Sequence, residues 1–389
     1  MSNDEVRYEH YSVGQLVELA ERTAANKDAV VNVPISLERA RSHAANPAAK
    51  PDDPALVTAW MGERCVGFFG LMPTTYWRDG KMHSVSIGTT MLVDPISRGK
   101  GIAKTLVRLM HEKEPDFIIT GATPPAESLY SKVPYFEKTK GVRYSRVFLF
   151  PPALAIFALE ARWVEDEGKR ALVANARRVE RGLATRGLRA LVHRALWPNP
   201  GRGFEHLQAR PVSRISVFGD DEPKPSPGDG PHFVRTERFI NWVLENPWII
   251  EAPGKKSDFY FSTYRDLFRY LPYEFVNIAT GEVVGYAVYT VTSRREVNFL
   301  KFTFYRLKDK ADEGIVFETA GVIAREYGID VMVGPDELST WASRRNRIKP
   351  LVQRLWRCYF VHRKSEESAL YGPADQLGWD FIDGDLPFN

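Results

Sequence analysis

The sequence predicts an α/β chain of the α+β type, with two similar domains and a helical connector. Three observations predict it. A strand, a glycine-bearing loop and an amphipathic helix follow one another over 85–111, and the same order returns over 297–327. Between them, apolar residues recur at helical spacing over 172–195. We expect a first domain at 1–150, a connector and loop at 151–231, and a second domain at 232–389.

The composition is that of an ordinary globular protein of 389 residues with a net charge of +4. This charge is too small to argue for nucleic acid as a partner. The two cysteines, Cys65 and Cys358, lie far apart, which indicates a reducing compartment and neither a disulfide framework nor a metal site. A polar N-terminus and the lack of a long apolar run predict no secretory signal and no membrane span, so we expect a cytoplasmic protein.

The first domain is predicted to begin with a strand, two helices and a hairpin. Ser12 and Ser36 lie at the start of the two helical patterns and are N-cap candidates, and Gly62 and Glu63 form a turn between two alternating strands. In chain order, hydrophobic periodicity predicts a strand at 6–11, helices at 13–23 and 35–45, and strands at 56–60, 65–77 and 85–93.

The loop after the strand at 85–93 is the most informative stretch. Gly99 and Gly101 have no Cβ, so a phosphate can approach backbone N–H groups at the start of the following helix. Arg98 and Lys100 add positive charge, and the loop therefore predicts a pyrophosphate site. A Walker loop does not fit because Thr105 is misplaced, and a dinucleotide motif does not fit because its third glycine is missing.

The run Arg98-Gly99-Lys100-Gly101-Ile102-Ala103, preceded by Val93 and Pro95, resembles the acyl-CoA motif of GCN5-related N-acetyltransferases, Arg/Gln-x-x-Gly-x-Gly/Ala. A buried strand at 116–122 and the segment 123–135 follow. This segment resembles the family pattern Asn-x-x-Ala-x-x-Leu-Tyr-x-Lys-x-Gly-Phe. The matching positions are Ala126, Leu129, Tyr130 and Lys132, whereas Thr123, Pro134 and Tyr135 replace the Asn, Gly and Phe.

The resemblance implies a mixed, mostly antiparallel sheet flanked by helices, with acetyl-CoA or another acyl-CoA as co-substrate. It implies that Tyr130 protonates the departing thiolate and that the Leu92 N–H polarises the thioester carbonyl. The general base stays open, because the strand lacks the usual carboxylate; Asp94 and His83 are the nearest candidates. The residues implied to contact the cofactor are Leu92, Val93, Arg98, Gly99, Lys100, Gly101, Ile102, Ala103, Lys104, Thr123 and Tyr130.

The predicted connector is basic, with ten Lys and Arg against four Asp and Glu over 161–202. Such helices lie on an anionic membrane surface, bind an anionic substrate or expose a solvated face between two domains. The second domain repeats the Gly-Glu turn at Gly281 and predicts a strand at 297–307, a helix at 313–327 and a strand at 329–333. Its loop over 308–314 has three acids and no paired glycines, so we expect only the first copy to bind CoA.

The run 238–242, Pro247 and the ending 378–385 resemble tandem acetyltransferase-like proteins encoded with surface-polysaccharide and natural-product assembly enzymes. These proteins are distantly similar to peptidoglycan-bridge aminoacyltransferases. In the ending, Asp380, Asp383 and Asp385 either attract an amine or belong to an ordinary exposed tail.

We therefore expect an acetyl-CoA-dependent N-acyltransferase that acts on the amine of an amino sugar or related small metabolite, by direct attack in a ternary complex. Three alternatives stay open: a non-catalytic acyl-CoA sensor or partner subunit, a membrane-associated acyltransferase, and an aminoacyl transferase of envelope polysaccharide synthesis. A homodimer is also left open.

Overall fold

The computed structural model describes residues 5–149, 203–216, 230–294, 297–345, 351–362 and 368–370, together with Asp383. The basic connector predicted over 161–202 lies outside the described residues, as do Asp380 and Asp385. The chain divides into two compact units, the first comprising Met1–Val142, Phe218–Tyr264 and Trp356–Asn389 and the second Arg143–Val217 and Arg265–Leu355. The domain boundaries near 150 and 231 stay predictions, because 150–202 and 217–229 are not described.

The described residues form strands and helices that we number in chain order. The strands are β1 (Arg7–Ser12), β2 (Pro54–Met61), β3 (Arg64–Arg78), β4 (Lys81–Val93), β5 (Phe117–Thr120), β6 (Phe136–Phe148), β7 (Leu207–Pro211), β8 (His232–Phe233), β9 (Ile250–Glu251), β10 (Tyr264–Arg265), β11 (Phe268–Asn277), β12 (Val283–Arg294), β13 (Val297–Leu307), β14 (Val331–Pro335) and β15 (Leu351–His362). The helices are α1 (Leu16–Ala25), α2 (Lys27–Val30), α3 (Leu37–Ala44), α4 (Ile102–Lys113), α5 (Pro124–Tyr130), α6 (Glu237–Glu245), α7 (Gly314–Glu326) and α8 (Asp336–Arg345). None of the helices in these ranges combines the length and the apolar character needed to cross a bilayer.

The first unit contains a mixed sheet whose described strands are mostly antiparallel. Strands β1 to β4 pair in sequence order; α1, α2 and α3 lie between β1 and β2, and tight turns join β2 to β3 and β3 to β4. Strand β5 then pairs parallel with β4, at Ser86–Gly88. On its other edge β5 pairs antiparallel with β15, where Phe360 lies opposite Ile119. The predicted class, a mostly antiparallel sheet flanked by helices, is confirmed.

Alternate residues of β3 separate the two faces of this sheet. Phe68 belongs to one buried cluster, with Leu92 and residues of α1 and α3. Phe69 belongs to the other, with Tyr130, Phe360 and the apolar face of α4. Because successive strand residues point to opposite faces, α4 and α5 pack on one side of the sheet and α1 and α3 on the other.

The beginning of the chain follows the sequence prediction closely. Ser36 caps α3, with its hydroxyl accepting a hydrogen bond from the Arg39 N–H at 3.3 Å. The predicted helix at 13–23 begins as a 3-10 turn, Val13–Gln15, before α1. The Ser12 N–H is bound by the Gln15 side chain at 2.9 Å, which ties the end of β1 to that turn.

The second unit repeats the order of strand, helix and parallel strand. Strand β13 leads through a 3-10 turn, Lys310–Asp312, into α7, and β14 then pairs parallel with β13 at Phe299–Lys301. Strands β13, β12, β11 and β7 are antiparallel neighbours, and the end of β6 pairs with β14. The predicted strand at 297–307 is present with the same bounds. The interpretation as a tandem repeat of one family stays a prediction.

Candidate active site

A bulge in β4 changes the direction of its backbone groups just before the predicted loop. Leu71 pairs with Gly88, but Phe69 pairs with Met91, so β4 has two residues where β3 has Gly70. A Cβ on Gly70 would lie 2.8 Å from the Thr89 hydroxyl oxygen, which explains the glycine. Along a strand, successive N–H groups point alternately to its two edges. The extra residue shifts this alternation by one position, so beyond the bulge the other set of N–H groups faces β3.

The backbone of β4 beyond this bulge presents two N–H groups to the edge facing β5. The Asp94 N–H donates to the Val66 carbonyl, at the end of β4 next to β3, at 2.9 Å. Between Met91 and Asp94 the pairing of β4 with β3 has no further register shift. Strand alternation therefore directs the Leu92 N–H to β3 and those of Met91 and Val93 to the opposite edge. Since β5 pairs with β4 only as far as Gly88, these two N–H groups face the gap where the strands part.

Tyr130 places its hydroxyl beside the same residue of β4. Helix α5 ends at Tyr130, and the phenol donates to the Met91 Sδ at 3.0 Å. The side chain is 2% exposed, and the rings of Phe136 and Phe360 pack against it. Burial raises the pKa of Tyr130 well above its ordinary value, so the phenol keeps its proton at neutral pH.

The predicted anion loop is open in the structure. Gly99 and Gly101 have φ of +83° and +76°, in the left-handed region that favours glycine. A Cβ at either position would meet no described atom within 4 Å. Helix α4 begins at Ile102, directly after Gly101, and the N–H groups of its first turn have no partners within the helix.

Three cations surround this open loop. Arg98, Lys100 and Lys104 are exposed, and none of them forms an ion pair with a residue in the described ranges. Ile102 is buried and anchors the first turn of the helix, whereas Ala103 is half-buried. Thr123 stands at the N-cap of α5 and is exposed. The N-terminus of α4 is therefore an accessible and positively charged site.

Asp94, one of the predicted bases, is fully engaged. Its Oδ2 accepts from the Arg64 Nη2 at 2.6 Å and from the Asn32 Nδ2 at 2.9 Å, and its Oδ1 accepts from the Ile96 N–H at 3.1 Å. Burial acts to raise the pKa of this carboxyl, but the hydrogen bonds outweigh burial and hold the pKa below its ordinary value. Such a carboxylate is a weak base, and the geometry gives Asp94 a structural role.

The other predicted polar residues lie away from Met91. His83 is on β4 eight residues before Met91, about 26 Å away at 3.3 Å per residue, and pairs with Tyr76. Asp383 is buried and forms an ion pair with Arg235, with 3.0 Å between the Arg235 Nη2 and the Asp383 Oδ1. It is therefore not an exposed carboxylate that attracts an amine. The structure therefore brings together Tyr130, the β4 backbone and the loop; Asp94 lies next to them but is engaged by Arg64, and His83 lies far along β4.

Two residues of this site, Met91 and Phe360, were not predicted. The direction of the Met91 N–H depends on the bulge, for which Gly70 and the adjacent Thr89-Thr90 pair are the only sequence signal. Phe360 arrives through the pairing of β15 with β5, which carries no local signature.

Comparison with solved structures finds the fold over most of the chain. The alignment with Saccharomyces cerevisiae N-myristoyltransferase with bound myristoyl-CoA has a TM-score of 0.50 and 11% sequence identity. It covers 96% of this chain and 82% of the yeast chain. A probable N-acyltransferase from Enterococcus faecalis V583 gives 0.49 at 11% identity, with coverage of 92% and 72%. A GCN5-related N-acetyltransferase from Kribbella flavida gives 0.46 at 13% identity, with coverage of 92% and 71%. No protein-family model and no curated protein sequence matches the chain.

The likeness to the yeast protein concerns the arrangement of strands and helices. At 11% identity it establishes the fold alone and says nothing of particular residues. The chain therefore has a fold that is also found in N-myristoyltransferase, in agreement with the fold class predicted from its sequence.

Proposed function

We propose that this chain is an acyl-CoA-dependent N-acyltransferase with its active site at the carboxyl end of β4. One observation carries the proposal: an open cationic loop, two outward N–H groups of β4 and a buried protonated phenol converge within one short stretch of the first unit. Each of these features answers a separate need of acyl transfer from a thioester to an amine.

The loop is suited to the diphosphate of CoA. Gly99 and Gly101 leave room for phosphate oxygens to approach the main chain, and the first turn of α4 offers N–H donors at the positive end of its dipole. Arg98, Lys100 and Lys104 supply positive charge, and none of them is held in an ion pair by another described residue. This arrangement supports the predicted cofactor contacts.

The gap between β4 and β5 is suited to the thioester. We move the oxyanion role that the family resemblance implied for Leu92 to the N–H of Met91, because Leu92 donates toward β3. In the proposed reaction the amine nitrogen attacks the thioester carbon, and the carbonyl oxygen gains negative charge beside the Met91 N–H. The carbon–sulfur bond then breaks, and the phenol of Tyr130 donates its proton to the sulfur.

Both substrates are proposed to bind together, so that positioning contributes much of the rate. The attacking amine must lose a proton, and neither Asp94 nor His83 is placed to take it; a water that leads to solvent is the proposed acceptor. The acceptor class is an amino sugar or related small amine, and the acyl group is acetyl or a longer chain. These finer assignments rest on the family resemblance.

A second candidate is a protein that binds acyl-CoA without catalysis. It is favoured by the position of the two predicted bases, since Asp94 is engaged by Arg64 and His83 lies far along β4. Both candidates require the same loop, so binding of CoA alone does not separate them. Release of free thiol from acetyl-CoA in the presence of a panel of amines, amino sugars included, separates catalysis from binding.

The experiment that tests the site is calorimetric titration with CoA and acetyl-CoA, on the wild type and on Gly101→Val. The side chain would stand in the open space above the loop, and we expect at least a tenfold loss of affinity. Gly80→Val is a matched control, since Gly80 has the same φ of +76° and no described atom within 4 Å, but lies in the β3–β4 turn. Equal affinities of the two variants, or no binding to the wild type, would refute the proposal.

A further inference from the structure

We infer that Phe360, on β15, is the positioning residue that holds the proposed acid Tyr130 in place. The inference rests on the proposed function and adds to it a residue that lies 230 positions further along the sequence. It concerns the first unit alone, to which both residues belong.

Helix α5 cannot by itself fix the phenol. It has seven residues, and isolated helices of that length are unstable in water. Tyr130 is its last residue, and the hydroxyl donates to a thioether, which is a weak acceptor. The direction of the phenol therefore depends on what packs against its ring.

Phe360 supplies that packing. Its side chain is 1% exposed, and its ring centroid lies 5.3 Å from that of Tyr130 at an interplanar angle of 58°. Such tilted aromatic contacts are favourable and directional. Phe136 contacts the phenol ring as well, at 5.9 Å, so Tyr130 lies between two rings.

Phe360 is itself held firmly with respect to β5. It pairs opposite Ile119, with Tyr359 and Val361 continuing the ladder on either side. The Arg357 Nε also donates to the Thr120 hydroxyl at 2.8 Å, which ties β15 to the last residue of β5. Strand β5 is in turn the parallel partner of β4. The pairing of β15 with β5 therefore fixes the Phe360 ring relative to the β4 backbone that carries Met91.

A second contact joins α5 to the same ring. The Lys138 Nζ lies 2.7 Å from the Glu127 Oε2 of α5 and 5.9 Å from the centre of the Phe360 ring. The ion pair is partly exposed and adds little stability, so the Phe360 ring, and not this contact, is expected to hold the phenol. Loss of the Phe360 ring would open space beside the phenol and let the hydroxyl leave Met91.

The test is a double-mutant cycle in the full chain with Phe360→Leu and Tyr130→Phe, measured as kcat and as KM for acetyl-CoA. We expect Phe360→Leu to lower kcat about tenfold and to leave KM unchanged, because the loop that binds CoA is elsewhere. In the Tyr130→Phe background, Phe360→Leu should have no further effect on kcat, since no acid remains to be positioned. Phe275→Leu, a buried ring in the second unit, controls for general loss of packing.

The outcomes separate the inference from the proposed function. If Tyr130→Phe lowers kcat but Phe360→Leu does not, or if Phe360→Leu costs the same in both backgrounds, Phe360 is not a positioning residue. If Tyr130→Phe keeps full activity, the proposed acid itself fails, and the role of Phe360 fails with it. Should Phe360→Leu not fold, Phe360→Met, whose unbranched and flexible side chain adapts to an irregular gap, is measured in the same cycle with the same expectations.

Discussion

The loop before α4 and the loop before α7 occupy the same place in two similar arrangements. Each follows a strand with a bulge near its end and precedes a helix and a parallel strand. In the second unit the bulge lies at Thr303, since Val288 pairs with Phe304 and Tyr289 with Phe302. The backbone architecture around the two loops is therefore closely similar, although the loop sequences differ.

The second loop closes the helix terminus that the first leaves open. The Asp309 side chain accepts from the Ala311 N–H at 2.8 Å, just as Asp94 accepts from the Ile96 N–H in the first loop, so this bond is common to both. The difference lies directly before the helix, where Glu313 accepts from the Tyr305 hydroxyl at 2.9 Å. A Cβ on Gly314 would overlap the Phe204 ring, so an aromatic side chain fills the space at the start of α7. The start of α4 has open space above Gly101 and exposed cations beside it, whereas the start of α7 is covered by Phe204 and preceded by acids, so we expect an anion to bind at the first loop.

The first prediction tests whether the first unit carries the chemistry. Tyr130→Phe removes the proposed proton donor and keeps the ring, so kcat should fall about 100-fold while the Kd for CoA stays the same. Steady-state kinetics and calorimetry measure the two quantities. An unchanged kcat would remove Tyr130 from the mechanism.

The second prediction makes the first loop resemble the second. Arg98→Glu with Lys100→Glu places two acids beside the diphosphate, and affinity for CoA should fall about 30-fold at low salt, with a smaller loss at high salt. Lys310→Glu, an exposed change in the second loop, should leave affinity unchanged. If the two sets of variants lose affinity equally, the contrast between the loops is wrong.

The third prediction concerns the hydrogen bonds that Arg64, Asn32 and the Ile96 N–H donate to Asp94. Asp94→Asn should lower the free energy of unfolding by about 2 kcal/mol at pH 7, since hydrogen bonds to a charged group are weakened. Because the pKa of Asp94 is lowered from 3.8 in the folded chain, this contribution is present above pH 3.8 and is lost as the pH falls further. Denaturant unfolding at several pH values measures it. A collapse of kcat without loss of stability would instead make Asp94 a base.

The fourth prediction has the smallest expected effect and concerns the opposite end of α4. Burial raises the pKa of Glu114 to about 7, helped by the nearby Asp116 and Asp53 and opposed by the Asp116 N–H. Because the pKa of Glu114 is higher in the folded chain than in the unfolded chain, its protonation contributes to the free energy of unfolding. This contribution is fully present below pH 4.5 and is lost as the pH rises towards 7. Glu114→Gln should therefore stabilise the protein by about 1 kcal/mol at pH 8, after allowance for solvent screening, and bring no gain at pH 4. Equal effects at both values would contradict it.

The sequence predicted those parts of the site that depend on local chemistry. The anion loop could be predicted because Gly99, Gly101 and the neighbouring cations lie within one strand–turn–helix segment. Tyr130 could be predicted because its neighbours in the sequence match the family pattern position by position. The hairpin around Gly62 and the strand at 297–307 were equally readable, because alternation and turn residues are local signals.

The remaining parts of the site depend on pairing between distant segments. The bulge opposite Gly70 decides that Met91, and not Leu92, faces the gap, and one inserted residue leaves the hydrophobic pattern almost unchanged. The engagement of Asp94 by Arg64 and Asn32 joins three separate segments of the first unit. No periodicity in a single sequence reports such contacts.

The pairing of β5 with β15 has a consequence for biosynthesis. Strand β5 leaves the ribosome more than 230 residues before its second neighbour, and until then one of its edges offers unpaired amides and carbonyls to other nascent chains. Closing so long a span is slow, so this stretch of backbone is exposed to aggregation throughout translation. A fragment that ends near residue 150 would keep that liability permanently, however complete its cofactor motif looks.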